Sequence, residues 1–476
     1  MRCRRTRSAR VPRTRRARPQ EAFDRRLIAP LVLGAVLNPL NSSIVAVSLV
    51  PIGEALGALP SQTAWLVSAL YLAAAVGQPV AGWLIDVHGP RRLFLLGAGL
   101  VGFAGLLGVL APNLGILIVA RILLGLGTCA GYPAAMHLIA SEAERTGRDS
   151  PGRVLTLLAI AGQSVSVVGP TLGGLLIGLG GWRATFAINI PLAAACLALG
   201  ALRLPKASRF EHPADDRRPA RPDLSGMTLF AATLLALLLF LMSPRAAHWY
   251  LPVLAGAAAV ALTIRELRAT KPFIDLRMLR GNIPLLATYL RNLLATAVCY
   301  CFLYGYAQWL GEGRGLSAPA VGLLLLPLFL AAVTASALSG RRKGAVRGQL
   351  VLGGIAQLAA CALLLLIDSA SALWLLLAVA AVMGVSQGLT GLAVQSAMYY
   401  QADRERLGSS AGLLRTSTYV GAMSSAAATA AFYGAGADTG ALHRLALFML
   451  AVAALSLVVT LLDRSLGRLG TRPKGP

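Results

Sequence analysis

Three arginines lie inside long apolar stretches of this chain, Arg121, Arg291 and Arg415, in company with Asn38, Asn41, Asn292 and Gln387. A charged side chain among acyl chains costs about 3 kcal/mol or more, so such residues face a bundle interior or a water-filled path. Guanidinium and amide groups bind by donating and accepting hydrogen bonds. They supply neither a nucleophile nor a general base near neutral pH, so the chemistry on offer is recognition of a solute. The chain has no HExxH sequence and no pair of aspartates deep in an apolar stretch, which leaves an intramembrane hydrolase without its machinery. None of the 19 carboxylates is expected mid-span: Glu54, Asp86 and Asp403 fall at helix ends and the others in loops or tails. A path with embedded arginines and no acid is electropositive. It disfavours a multivalent cation and suits a neutral, zwitterionic or anionic solute.

Other residues are suited to movement. The run Gly82-Trp83-Leu84-Ile85-Asp86-Val87-His88-Gly89-Pro90-Arg91-Arg92 joins two apolar stretches. Gly82 permits close helix contact, and Gly89 permits a tight turn. Asp86 can pair with Arg91 or Arg92, and it can face the positive N-terminus of a helix in the other half. Within the apolar run 165–178 stand Gly169, Pro170, Gly173 and Gly174. Pro170 is expected to bend a membrane helix there, and the three glycines to form a flat face that a neighbouring helix can approach. His137 reads as a hydrogen-bonded interface histidine, and Tyr300, Tyr304 and Tyr306 as packing residues.

The elements that must position these groups are membrane helices. Of 476 residues 56% are hydrophobic and 13% charged, about half the charge of an ordinary soluble domain. The mean hydropathy is +0.68. Apolar runs long enough to cross a bilayer fall at about 27–50, 63–85, 93–111, 115–139, 154–178, 184–204, 224–243, 249–264, 284–310, 317–339, 349–367, 371–398, 407–434 and 440–462. With both ends cytoplasmic, 37 of the 44 Lys and Arg lie on cytoplasmic segments, as the positive-inside rule requires. The net charge of +25 therefore marks orientation, and no nucleic-acid partner is expected. All six tryptophans fall near span ends and are expected to form an interfacial belt. The six cysteines include no extracellular pair and no metal-ligand spacing. The eleven arginines of residues 1–26 read as a basic anchor or an upstream extension of the reading frame, not a cleavable signal.

Several of these runs resemble the major facilitator superfamily. Gly82 to Arg92 is similar to its GxLaDrxGrk loop, with Val87 in place of an arginine. Arg121 to Gly127 is similar to its RxxxGxg motif, and Gly169 to Gly174 to its fifth-helix antiporter motif. GWRATFAINIP and LNSSIVAVSLVPI resemble segments of the fourteen-helix drug:proton antiporter branch. Gly412 to Tyr419 resembles an antiporter helix with its basic residue, Arg415, shifted. The resemblance implies that Asp86 latches one state closed on the cytoplasmic side. It also implies proton coupling, yet Asn41 stands where that branch has an aspartate, and an amide does not titrate near neutral pH.

The expected fold is an all-α polytopic membrane protein with the major facilitator arrangement: two six-helix bundles plus two inserted helices, fourteen crossings in all. Its expected parts are a basic tail (1–26), a first bundle (27–204), a linker (205–223), the inserted pair (224–264), an amphipathic connector (265–283), a second bundle (284–462) and a tail (463–476). The expected function is secondary transport by alternating access, implied by the resemblance to be drug export from the cell across the plasma membrane. The competitors are an uncoupled facilitator or importer and, from another class, a receptor or scaffold. The expected partners are a small-molecule substrate and the lipid bilayer, with the chain a monomer. No cofactor or metal is expected beyond a coupling proton.

Overall fold

The computed structural model describes residues 24–146, 152–205, 223–242, 245–269, 272–341, 346–434 and 436–468. Most of the basic tail, the linker up to residue 222 and part of the basic turn after Gly340 lie outside the described residues. Every regular element among those described is helical, the one way a single segment can satisfy its own backbone in hydrocarbon.

The first half comprises α1 (Ile28–Leu56), α2 (Trp65–His88), α3 (Pro90–Leu110), α4 (Leu114–Thr128), α5 (Gly131–Thr146), α6 (Gly152–Ala187) and α7 (Asn189–Arg203). A pair follows, α8 (Leu224–Met242) and α9 (Tyr250–Arg268). The second half holds α10 (Ile283–Cys301), α11 (Ala318–Arg341), α12 (Val346–Leu364), α13 (Leu373–Gln401), α14 (Leu407–Tyr433) and α15 (Thr439–Leu462). Among the described residues eleven helices are long and apolar enough to cross a membrane, or twelve when the bent pair within α6 is taken as one crossing. The expected fourteen is therefore not reached by length and composition alone. The segment Asn189–Arg203, at 15 residues, is too short to qualify by itself.

Two breaks have identifiable causes. Residues Gly152–Val165 and Val168–Ala187 meet at 46°, one turn before Pro170, whose ring collides with the carbonyl four residues back. Later in α6, Gly181 adopts φ 67°, a left-handed conformation open to glycine, so the helix direction changes before Trp182. The loop glycine Gly89 likewise has φ 87° and leads into Pro90 at the first position of α3, where the missing N–H is harmless.

The apolar packing is asymmetric. One buried cluster gathers Leu66, Ile85 and Met136 of the first half together with Leu285, Leu392, Met398, Leu407 and Leu414 of the second. The second-half residues nearer the other end, among them Phe302, Trp309, Leu376 and Leu445, form a separate cluster. The two halves thus share one core at the Asp86 end. Helix α8 packs on α9 and against α2 and α14: Phe230, Leu234 and Phe273 form a small core with Val80, Trp83 and Leu413. The tryptophan belt is incomplete. Trp65, Trp249 and Trp374 are exposed, but Trp309 and Trp182 are buried inside the protein, because their bulk fills gaps between helix ends.

Candidate substrate pathway and gate

A group of buried polar side chains joins α1, α4, α5, α7 and α14. Arg121 of α4 is buried, and its Nε donates to the Leu66 carbonyl at 2.8 Å. Both terminal nitrogens donate to the Asn41 carbonyl at 3.3 Å. The guanidinium therefore caps main-chain carbonyls, and no carboxylate pairs with it among the described residues. The Asn41 side chain, also buried, donates to Leu37 O at 3.0 Å and to Asn189 Oδ1 at 2.7 Å. Asn38 donates to Thr128 Oγ1 at 2.9 Å and accepts from the Tyr419 hydroxyl of α14 at 2.7 Å, which links the two halves. Arg415, also on α14, lies 4.0 Å above the Tyr132 ring. Its Nε is buried with no partner. Tyr71 and Tyr419 stand with ring centres 5.7 Å apart. This part of the seam is cationic and aromatic.

The other sequence-derived residues are placed elsewhere. Arg291 is not brought to this group: its Nη2 meets Asp463 Oδ2 at 2.5 Å, and both side chains are almost wholly buried. Asp463, expected to lie in the tail, follows the last turn of α15, and its carboxylate cancels the Arg291 charge. Asn292 donates to Leu414 O, Ser417 Oγ and Thr418 Oγ1 at 2.8 to 3.1 Å, tying α10 to α14 within the second half. Gln387 of α13 donates to Gln163 Oε1 of α6 across the seam at 3.4 Å. The neighbouring run Gly384-Val385-Ser386-Gln387-Gly388 is spelled like a hydrolase nucleophile turn. It lies mid-helix, with both glycines against α11 carbonyls, so no such turn forms.

At one end the halves are tied by Asp86. Its Oδ1 accepts the Gly408 N–H at 2.8 Å; its Oδ2 accepts the Ser409 N–H at 2.8 Å and the Ser409 hydroxyl at 2.6 Å. These are the free amides of the first turn of α14, where the helix dipole is positive. His137 Nδ1 lies 3.5 Å from the same carboxylate. Approach this close requires glycine: a Cβ on Gly82 would overlap the Gly408 carbonyl, and one on Gly412 would stand 2.8 Å from Pro79 Cα. Thr416 donates to Ala75 O at 2.8 Å, and Arg404 meets Glu144 at 2.9 Å, extending the tie. Arg91 takes no part: it turns away and donates to Ala201 O at 2.9 Å, while Arg92 is exposed. The two basic residues therefore leave Asp86 to the helix terminus.

Gly169 and Gly173 face α1. A Cβ on the first would overlap Ser43, and one on the second would stand 2.6 Å from Val47 Cγ2. Gly174 and Pro170 point the other way, into open space or toward the exterior. At the end opposite Asp86, a cavity of about 460 Å³ opens between α10 and α14, lined by Tyr304, Gln308, Thr429 and Tyr433. Beside it α10 continues into two π-helical turns, Phe302–Tyr306 and Trp309–Gly313. The Tyr433 hydroxyl takes up the Gly305 carbonyl at 2.9 Å.

Sequence reasoning missed Asn189, Tyr71, Tyr132 and Tyr419 as members of this group. Each is a polar or aromatic residue inside an expected span, but its partner lies on another helix between 148 and 381 positions away, and spacing alone does not reveal that.

The family model described as Major Facilitator Superfamily matches residues 31–426. An uncharacterised transporter of that type, YwoD of Bacillus subtilis, is 31% identical over 413 residues, covering 84% of this chain and 88% of its own. The tetracenomycin C resistance and export protein of Streptomyces glaucescens is 30% identical over 323 residues, covering 65% of this chain and 57% of its own. Among solved structures, the human organic anion transporter MFSD10 superposes with a TM-score of 0.64 at 16% identity, over 92% of this chain and all of that one.

Proposed function

The chain belongs to the major facilitator superfamily, whose members are transporters and not enzymes, and from that premise we propose that it exports a small organic solute by alternating access. The observation that carries this reading is the unequal closure of the two ends. Asp86 and the shared core hold the halves together at one end, while toward the other the second half keeps an apolar core of its own. With the Lys and Arg asymmetry setting orientation, the closed end is cytoplasmic and the open end faces outward, the state from which an exporter releases its load. Relatives near 30% identity whose names include antibiotic and multidrug resistance support the direction. The membrane is the plasma membrane, with both termini inside.

Arg121 and Arg415 line the pathway with Asn38 and Asn41, and no carboxylate faces them among the described residues. That favours a neutral, zwitterionic or anionic solute over a dication. A second reading, an uncoupled facilitator or importer, draws its support from Asn41, which hydrogen-bonds Asn189 where a titrating acid would be needed. A growth-inhibition panel on an efflux-deficient host, comparing wild type with Asp86→Asn and Arg121→Ala, tests the assignment. Resistance conferred by the wild type and lost in both variants is expected; unchanged resistance in both would overturn it. Collapse of the pH gradient with undiminished transport would decide for the uncoupled reading.

A further inference from the structure

The inserted helices carry a second buried charge cluster. Asp223, at the start of α8, and Glu266, one turn before the end of α9, are both more than nine-tenths buried. Each has one oxygen satisfied. Asp223 Oδ1 accepts the Gly226 N–H and an Arg265 Nη2 hydrogen, both at 3.0 Å. Glu266 Oε2 accepts the Ile274 N–H at 3.2 Å. Their remaining oxygens, Asp223 Oδ2 and Glu266 Oε1, are buried without a partner among the described residues. Both oxygens point at the same place: a Cβ on Gly226 would stand 2.7 Å from the first and 2.5 Å from the second.

Two bare carboxylate oxygens enclosed together are unfavourable by desolvation and by repulsion. One proton removes both costs, because it turns one acceptor into a donor to the other. We propose that Asp223 and Glu266 hold a single shared proton between Oδ2 and Oε1, a proton site in the inserted pair separate from the Asn41–Arg121 group. With Arg265, the cluster is then neutral, and loss of the proton to water leaves it at −1. Among the described residues the other charges around it are engaged or remote: Asp275 pairs with Arg406 at 3.2 Å, Arg277 bonds the Leu267 carbonyl, and His88, Arg268 and Arg280 are exposed. Glu266 holds the Ile274 amide of the segment leading into α10, so the proton sits at the junction between the inserted pair and the second half.

Infrared difference spectroscopy on the purified, reconstituted protein tests this directly. The wild type at neutral pH carries a protonated-carboxyl C=O band that shifts in D2O and disappears in a one-proton step as pH rises. Glu266→Gln and Asp223→Asn each remove the band while keeping a donor for the remaining carboxylate. Gly226→Ala, which keeps both acids but wedges a methyl group between them, moves or splits it. Melting temperature follows with the matching sign, falling in the wild type as pH rises through the same step and staying flat in Glu266→Gln. A wild-type spectrum without the band overturns the proposal, as does a band that survives both acid substitutions. So does a melting temperature that rises with sodium chloride and not with choline chloride, which would make the ligand a metal cation.

Discussion

The Tyr419 hydroxyl donates to Asn38 Oδ1 at 2.7 Å, a bond between helices 381 positions apart that belong to different halves. It lies deeper than the Asp86 tie and beside the Arg415–Tyr132 contact, so it must break whenever the halves separate. One such bond is worth about 1 kcal/mol net. Tyr419→Phe therefore shifts the balance of closed to open forms by roughly fivefold, since 1.4 kcal/mol corresponds to about tenfold. Spin labels at positions 87 and 405, exposed on either side of the closed end, read the shift as a larger long-distance population.

Asp86 makes three hydrogen bonds to α14, and bonds to a charged group contribute about 1.5–3 kcal/mol each. Asp86→Asn keeps shape but loses the charge and one acceptor. The same labels are expected to report mainly the separated arrangement, and resistance conferred on a sensitive host falls more than protein abundance does. Equal distance distributions in wild type and variant would show that the tie is ornamental.

The glycines of α6 separate cleanly by environment. Gly169→Ala and Gly173→Ala force methyl groups into Ser43 and Val47, at a cost of about 1–3 kcal/mol for overpacking. Gly174→Ala meets nothing within 4 Å and is expected to be neutral or to stabilise by about 0.4–1 kcal/mol. Thermal melts in detergent distinguish the three.

Arg415 is the cation of the proposed pathway with a guanidinium nitrogen left free of partners among the described residues. Arg415→Gln abolishes transport of a carboxylate solute into inverted vesicles and leaves a neutral analogue less affected; Arg415→Lys retains part of the carboxylate transport. Equal loss for both solutes would place Arg415 in structure rather than recognition.

The Arg291–Asp463 pair offers a stability test. Arg291→Met alone strands a buried carboxylate and costs about 3–5 kcal/mol, whereas Arg291→Met with Asp463→Leu is neutral or stabilising by about 1–4 kcal/mol. A double variant as unstable as the single would mean that Asp463 has another partner.

Much of the architecture is legible in the chain because length and apolarity decide what can enter a bilayer. The runs 63–85 and 93–111 fall within a few residues of α2 and α3, and the Gly89-Pro90 turn has the backbone its residues require. Crossing number is less legible, since Asn189–Arg203 is short and Leu407–Tyr433 trades apolar bulk for residues that pack or bond at the seam. Partner choice is the least legible. Asp86 stands five residues from Arg91, yet two main-chain amides more than 320 positions away hold it, because a helix terminus offers aligned donors that a flexible surface arginine does not. Arg291 reads as a pathway charge until the end of α15 brings Asp463 onto it. In both cases the deciding neighbour arrives through tertiary structure, where no local spacing points.

The two segments of α6 on either side of its 46° bend answer to different partners. The earlier one rests on the opposite half, with Thr156 under Gly340 and Gln163 bonded to Gln387. The later one rests on α1 through Gly169 and Gly173. In the proposed cycle such a helix is expected to act as a rocker arm with its fulcrum at Val165–Val168: when the far lobe tilts, the first arm is carried with it and the second levers α1. Asn38 and Asn41 ride on α1, so the amides assigned to the proposed pathway are expected to be repositioned in the same stroke that unseals the inner end.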